Sequence, residues 1–179
     1  GELFTLTPDT YSPWIKVKFG KAHGICKVRI IDIDGPLAFY VTPIHIDPAK
    51  PAMPISHPAH YSIALEKLHG SFATLGLAED TWALNERVID EQAFWDQAWM
   101  IHEERERQFF HALNRQRNGS ITCVFDATDR IQHMFFRYIT PDHPANSGKD
   151  VEKHKNAIED LYKKADELVG KTMEKLKKD

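Results

Sequence analysis

A proline-rich segment divides this chain into a part with strand periodicity and a part with helical periodicity. Residues 45–58 (HIDPAKPAMPISHP) contain four prolines in fourteen residues, and proline donates no backbone hydrogen bond to a helix or a strand. This segment is therefore predicted to be an irregular loop. Before it, residues 14–19, 25–33 and 37–44 alternate apolar and polar side chains, which predicts half-buried strands. The first third of the chain is expected to form an antiparallel meander.

After the loop, the apolar residues recur at helical spacing. Helices are predicted over 59–70 with Gly70 as the stop, over about 81–87, over about 91–117 with Asp90 as the N-cap, and over about 150–176. Between the last two helices, residues 120–125 (SITCVF) are almost continuously apolar, as in a parallel strand covered on both faces. A buried strand flanked by helices predicts a doubly wound α/β sheet.

Size and charge exclude several classes of protein. The chain has 179 residues and a net charge of -3, and 42% of its residues are hydrophobic, which suits a globular domain. It has no basic stripe for nucleic acid and no apolar run long enough to cross a membrane. Cys26 and Cys123 lie in apolar runs and are expected to be buried thiols. No signal peptide opens the sequence; the compartment is left open, with the cytoplasm favoured.

Three polar side chains follow the predicted buried strand. They are Asp126, Asp129 and His133, and ligands of doubly wound sheets bind beyond the carboxyl ends of the strands. If Asp129 opens a helix, its Cβ atom and that of His133 lie about 5–6 Å apart on one face. Carboxylate and imidazole at this spacing suit a divalent metal such as zinc, which binds both at roughly 2.0–2.2 Å. Two ligands do not complete a metal site, so at least one more has to come from elsewhere.

A purely structural interpretation of the same residues is also open. Asp126 or Thr128 could cap the helix and His133 could be a half-buried histidine, because this spacing is common by chance. Four further histidines lie in or beside loops, where histidine is usually solvated: His45, His57, His60 and His143. Glu79 and Asn85 flank Trp82 and could line a substrate pocket, although such residues more often cap helices or face solvent.

Three long strings in this sequence resemble a known enzyme family. They are TPIHIDPAKPAMPISHP (42–58), TLGLAEDTWALNE (74–86) and VFDATDRIQHMFFRYITPDHPAN (124–146). They are similar to the predicted phosphohydrolase or phosphomutase branch of the alkaline phosphatase superfamily, near the type I phosphodiesterase and nucleotide pyrophosphatase group. The resemblance covers nearly all of the chain.

The resemblance implies a two-metal enzyme that transfers the phosphoryl group of a phosphate ester. Its Asp-x-x-x-His motif, which supplies two ligands to one metal, falls on Asp129 and His133. Carboxylate and imidazole ligands admit zinc, manganese or iron, and zinc is favoured, with manganese next. Arg130, beside the motif, could face the phosphate or pair with a surface carboxylate. The implied fold is an α/β phosphatase core with a β-rich cap, so that 1–58 belongs to the cap and 59–179 supplies helices and one core strand.

The chain also departs from the family pattern. The family's Thr or Ser nucleophile, its early Asp ligand and a later Asp-His pair have no counterpart here, and no threonine of this chain matches the nucleophile motif. We therefore expect a segment of a longer enzyme, with an incomplete metal site and no activity when isolated. The alternative is a non-catalytic binding or scaffolding module derived from that family. Self-association of the isolated chain is expected, through the edge of the strand at 120–125 or through the helix at 150–176.

Overall fold

The computed structural model of this chain describes residues 4–140, 142–148 and 151–177. The chain forms two compact units, Gly1–Glu104 and Arg105–Asp179. Helices and small antiparallel sheets occur together, so the chain has a mixed α/β structure. The division at 58/59 into a cap and a core concerns the role of each part within a larger enzyme, and it stays a prediction.

The first unit contains a three-stranded antiparallel sheet. Its strands are β1 (Ile15–Phe19), β2 (Ala22–Cys26) and β5 (His45–Ile46), in the order β1-β2-β5. The strand at 14–19 is thereby confirmed. Gly24 allows β5 to approach β2, because a Cβ atom at this position would lie 2.5 Å from the Ile44 side chain and 3.0 Å from the carbonyl oxygen of His45.

A second sheet pairs β3 (Val28–Asp32) with β4 (Ala38–Val41) in an antiparallel hairpin. The prediction of one strand over 25–33 is wrong, since the chain passes from one sheet to the other at Lys27. There the backbone N–H of Lys27 donates to Thr42 Oγ1 (2.9 Å) and that of Val28 donates to Ser12 Oγ (2.9 Å). Side-chain hydroxyls thus take the place of ladder partners at the break.

Three helices begin in the first unit. They are α1 (His60–His69), α2 (Thr81–Asn85) and α3 (Glu91–Arg115), and the last continues into the second unit. These helices confirm the three predicted ones. Asp90 Oδ1 accepts from the N–H of Ala93 (2.7 Å), as expected of the N-cap, and Gly70 ends α1 with φ at 81°. The unit's core includes the buried side chains of Ile25, Leu65, Leu84, Ile89, Phe94 and Ala98.

The predicted strand at 120–125 is absent from the second unit. Residues 120–125 have no regular secondary structure, and Val124 is 67% exposed. This segment instead lies against α3, because the Phe125 ring packs edge-on against Phe109 at 5.9 Å and Arg105 Nη1 donates to the Val124 carbonyl at 3.1 Å. A strand also needs a partner strand, and the described part of the second unit contains none. Self-association of the isolated chain, expected through the edge of this segment or through the helix at 150–176, stays a prediction.

The rest of the second unit is helical. It contains α4 (Ala127–Phe135), 3-10 turns at Phe136–Ile139 and Pro144–Asn146, α5 (Val151–His154) and α6 (Ala157–Leu176). The predicted helix at 150–176 is thus interrupted after His154, and Asp150 lies outside the described residues. Helices α4 and α6 pack together through Ile131, Phe135, Leu161 and Leu168, which are buried. None of the described helices is long and apolar enough to cross a membrane.

Candidate functional site

Asp129 and His133 lie one helical turn apart at the start of α4, as the sequence predicts. The helix begins where the carbonyl oxygen of Asp126 accepts from the N–H groups of Asp129 (2.9 Å) and Arg130 (3.1 Å). Asp126 makes no side-chain cap bond. Its carboxylate pairs instead with Arg105, 3.2 Å away. Asp126 therefore anchors the chain just before the helix.

The two candidate ligands present their donor atoms to each other at an exposed position. His133 Nε2 lies 3.3 Å from Asp129 Oδ1, and the side chains are 75% and 53% exposed. Two atoms that each lie about 2.1 Å from a tetrahedral zinc ion are about 3.4 Å apart. The pair therefore already has the separation that two ligands of one metal require. Without a metal, the same geometry is that of an exposed i,i+4 ion pair, which adds little to the stability of the protein.

Arg130 contacts the other oxygen of the same carboxylate. Its Nη1 atom bonds to Asp129 Oδ2, while Oδ1 faces His133. Two roles are predicted for Arg130: facing the phosphate or pairing with a surface carboxylate. In this structure Arg130 pairs with the Asp129 carboxylate. A guanidinium on one carboxylate oxygen fixes the direction of the other, which is a common way to orient a metal-binding carboxylate.

No third ligand joins the pair among the described residues. In that part of the chain, no group of three or more His, Cys, Asp or Glu side chains is arranged to hold a metal ion. His143, which lies near the pair in sequence, is exposed and accepts from the N–H of Ala145 at 3.1 Å. Metal binding by Asp129 and His133 stays a prediction, and two ligands alone would leave most of the coordination sphere of a metal to water.

The other two candidate substrate residues lie at the two ends of α2 in the first unit, Glu79 just before the helix and Asn85 as its last residue. Glu79 is buried and Asn85 is exposed at the end of the helix, so they occupy different environments. Between them, Asp80 caps α2 by accepting from Ala83 N (2.9 Å) and accepts from the Tyr40 hydroxyl (2.8 Å). Arg130 belongs to the second unit. A substrate role for the three residues stays a prediction.

A buried polar cluster in the first unit was not expected from the sequence. His45 is 1% exposed, which corrects its interpretation as a solvated loop histidine. Its ring packs edge-on against Trp14 with centroids 4.9 Å apart, and Trp14 Nε1 donates to Glu104 Oε1 at 2.7 Å. Glu104 carried a sequence signal, because it follows Ile101 by three residues and so falls on the apolar face of α3. In the structure its side chain is buried.

The environment of His45 keeps its ring neutral. Burial lowers the pKa of the His45 imidazole to about 4. Nδ1 accepts a hydrogen bond from the backbone of Thr74 (3.0 Å), so in the neutral tautomer the ring proton sits on Nε2. An enclosed, neutral imidazole with its acceptor already engaged serves structure rather than proton transfer at neutral pH.

Comparisons with known proteins find no match for this chain. No protein-family model matches it, and neither a curated protein nor a solved structure gives a match.

Proposed function

We propose that this chain is part of a metal-dependent phosphohydrolase in which Asp129 and His133 bind one of two divalent metal ions. The observation that supports the proposal is the 3.3 Å separation of Asp129 Oδ1 and His133 Nε2 on an exposed face of α4. The resemblance of residues 124–146 to the Asp-x-x-x-His region of alkaline-phosphatase-like enzymes points to the same two residues. Zinc is the favoured ion, and manganese suits the same ligands.

Hydrolysis of a phosphate monoester or diester, or a phosphomutase reaction, is the chemistry that the proposal assigns to the whole enzyme. Bound metals would stabilise the charge on the phosphoryl oxygens and activate the nucleophile. Asp129 contributes a negative charge and His133 a neutral nitrogen to the ligand set. Arg130 holds the Asp129 carboxylate in place and offers a positive charge beside the site. The nucleophile and the remaining ligands would come from the rest of the same enzyme.

The proposed architecture of the whole enzyme is a doubly wound core with a β-rich cap. In it, residues 120–125 would find the neighbouring strands that their apolar composition calls for. The sheets formed by β1 to β5 would belong to the cap. A core strand directly before α4 would carry Asp129 and His133 to the edge of the sheet, where ligands of such folds bind.

A non-catalytic binding or scaffolding module is the second candidate. Two observations favour it: no complete metal-binding group occurs among the described residues, and the β3–β4 hairpin exposes large apolar side chains. These are Ile31, Ile33, Leu37, Phe39 and Val41. Exposed apolar side chains in such number are typical of a surface that binds another protein.

The enzyme encoded by the complete reading frame around this segment provides the test. We expect turnover of aryl phosphates or aryl phosphodiesters with zinc or manganese, and loss of both turnover and bound metal in Asp129→Asn and His133→Ala. The matched control is Glu159→Gln, which breaks an exposed i,i+4 pair with Lys163 on α6 (2.8 Å) and should change neither. A frame without a nucleophile and without an Asp-His pair, or full metal content in Asp129→Asn, would favour the scaffolding module.

A further inference from the structure

Three consecutive backbone N–H groups in the first unit are bound by ionisable side chains from distant parts of the sequence. The N–H of Ala73 donates to Glu104 Oε2 at 2.8 Å. The N–H groups of Thr74 and Leu75 donate to His45 Nδ1 at 3.0 and 3.4 Å. Each bond depends on a protonation state, because Glu104 accepts through both oxygens when ionised and Nδ1 of His45 accepts only while it carries no proton.

The bound segment has no regular secondary structure to hold it otherwise. Residues 71–76, called the clamped segment below, form neither helix nor strand. One more tie joins them to the sheet, since Thr74 Oγ1 donates to the Ile46 carbonyl at 2.9 Å. The clamped segment leads directly toward α2, whose Trp82 side chain is 74% exposed. Its ties to the sheet therefore fix the course of the chain just before α2.

We infer that the clamped segment is an acid-sensitive latch, which protonation of His45 releases from the β1-β2-β5 sheet. A proton on Nδ1 places a donor against the N–H donors of Thr74 and Leu75. Both bonds are then lost, and the imidazolium is left in an enclosed site where a charge is unfavourable. Release of the segment lets the ring reach water. It thereby removes both the contact between opposed N–H donors and the cost of enclosing a charge. The stretch before α2 then becomes mobile while the rest of the unit stays folded.

The charged groups around His45 do not cancel this effect. The Glu104 carboxylate on α3 is engaged by Trp14 and Ala73. Asp47, which directly follows β5, accepts from the N–H of Ala49 at 2.9 Å. The Lys27 ammonium lies over the Trp14 ring, 4.8 Å from its centroid, and disfavours a second positive charge nearby. Desolvation is the cause of the lowered pKa of His45, so the release of the segment is what restores its ordinary value.

Residue-resolved amide hydrogen exchange of the chain tests the latch. The pKa of the His45 imidazole is about 4 in the clamped state and takes its ordinary value of 6.5 in the released state. Lowering the pH from 7 to 5 therefore favours the released state, and the protection factors of residues 73–75 should fall roughly twentyfold. Rates are first corrected for intrinsic exchange. At both pH values the amides of residues 73–75 should be much less protected than those of Leu65 and Phe94, which lie in helices of the same unit, because the segment opens without unfolding of the helices.

The control variant is His45→Asn, whose side-chain oxygen can accept from the same N–H groups but does not titrate. In this variant the protection of residues 73–75 should be independent of pH over this range. A second measurement needs no variant: the Thr74 amide chemical shift should follow the titration of the His45 ring in the wild-type chain. The inference is overturned if the protection of residues 73–75 does not fall, if these residues are as well protected as Leu65 and Phe94, or if the Thr74 shift does not follow His45.

Discussion

The two histidines that matter most in this molecule, His45 and His133, lie in opposite environments. His45 in the first unit is enclosed, neutral and bound through Nδ1 to backbone donors. His133 in the second unit is 75% exposed and faces the Asp129 carboxylate. The first ring has no room for a further ligand, whereas solvent and ions reach the second. Burial, rather than residue type, therefore separates a structural histidine from a candidate ligand here.

The same contrast holds for the two carboxylates. Glu104 is buried and accepts from Trp14 and Ala73 with its two oxygens. Asp129 is half exposed and contacts Arg130 and His133 on the same helix, α4. A carboxylate that satisfies buried donors is costly to remove, whereas one in an exposed pair adds little stability. Variants should therefore divide into those that lower stability and those that lower ligand binding.

The largest effect is expected from His45→Ala. This change leaves the N–H groups of Thr74 and Leu75 without their acceptor and opens a cavity, so the free energy of unfolding should fall by about 4 kcal/mol. Urea unfolding followed by tryptophan fluorescence reports on the first unit, because all four tryptophans lie there: Trp14, Trp82, Trp95 and Trp99. His133→Ala, followed by circular dichroism, should change stability by about 0.5 kcal/mol or less. Equal losses of unfolding free energy in the two variants would contradict the contrast between the buried His45 and the exposed His133.

The next effect is a loss of stability in acid. The pKa of His45 is about 4 in the folded chain and 6.5 as its ordinary value, so the unfolded chain binds the proton more tightly. The stabilisation is therefore complete above pH 6.5 and is lost as the pH falls toward 4, by about 3 kcal/mol in total. Urea unfolding at several pH values should show this slope, and His45→Asn should reduce it. An identical slope in the two proteins would assign the acid sensitivity to other groups.

A smaller loss is expected when Glu104 is replaced by Gln. One acceptor oxygen remains, but the amide nitrogen faces either Trp14 Nε1 or the N–H of Ala73, and the unfolding free energy of the first unit should fall by about 2 kcal/mol. Glu66→Gln is the matched control in the same unit. Glu66 pairs with the exposed Lys16 at 2.8 Å, so its loss should cost about 0.5 kcal/mol. Equal costs for the two changes would mean that burial of Glu104 carries no extra stability.

Sequence reasoning could locate elements that depend on local patterns. The helix cap at Asp90, the Gly70 stop and the turn of helix between Asp129 and His133 all follow from nearby residues. The break at Lys27 could not be predicted, because it depends on hydroxyl groups of Ser12 and Thr42 that only the folded chain brings close.

Features that depend on distant partners escaped prediction for the same reason. Residues 120–125 have the composition of a core strand, but composition does not supply a neighbouring strand. His45 lies at the edge of a proline-rich segment, which predicts exposure, whereas Trp14 and the backbone of Thr74, both distant in sequence, contact its ring in the folded chain. The candidate metal ligands could be predicted because both lie on one helix. The buried cluster could not, since its members are separated by up to ninety residues.

The isolated chain should show the weakest effects in assays of metal binding and catalysis. Calorimetric titration with zinc should reveal no submicromolar site that depends on Asp129, because two ligands leave most positions to water. Aryl phosphates and aryl phosphodiesters should not be turned over with any of several divalent metals. Tight zinc binding lost in Asp129→Ala, or metal-dependent turnover lost in His133→Ala, would show that the chain holds a complete site.

Manganese titration followed by NMR of the histidine side chains tests the central claim most directly. We predict that millimolar Mn²⁺ broadens the imidazole resonances of His133 before those of the other histidines. Asp129→Asn should abolish this preference, and Glu159→Gln should retain it. Uniform weak broadening of all exposed histidines, or preferential broadening of His133 that persists unchanged in Asp129→Asn, would contradict the assignment of this pair as metal ligands.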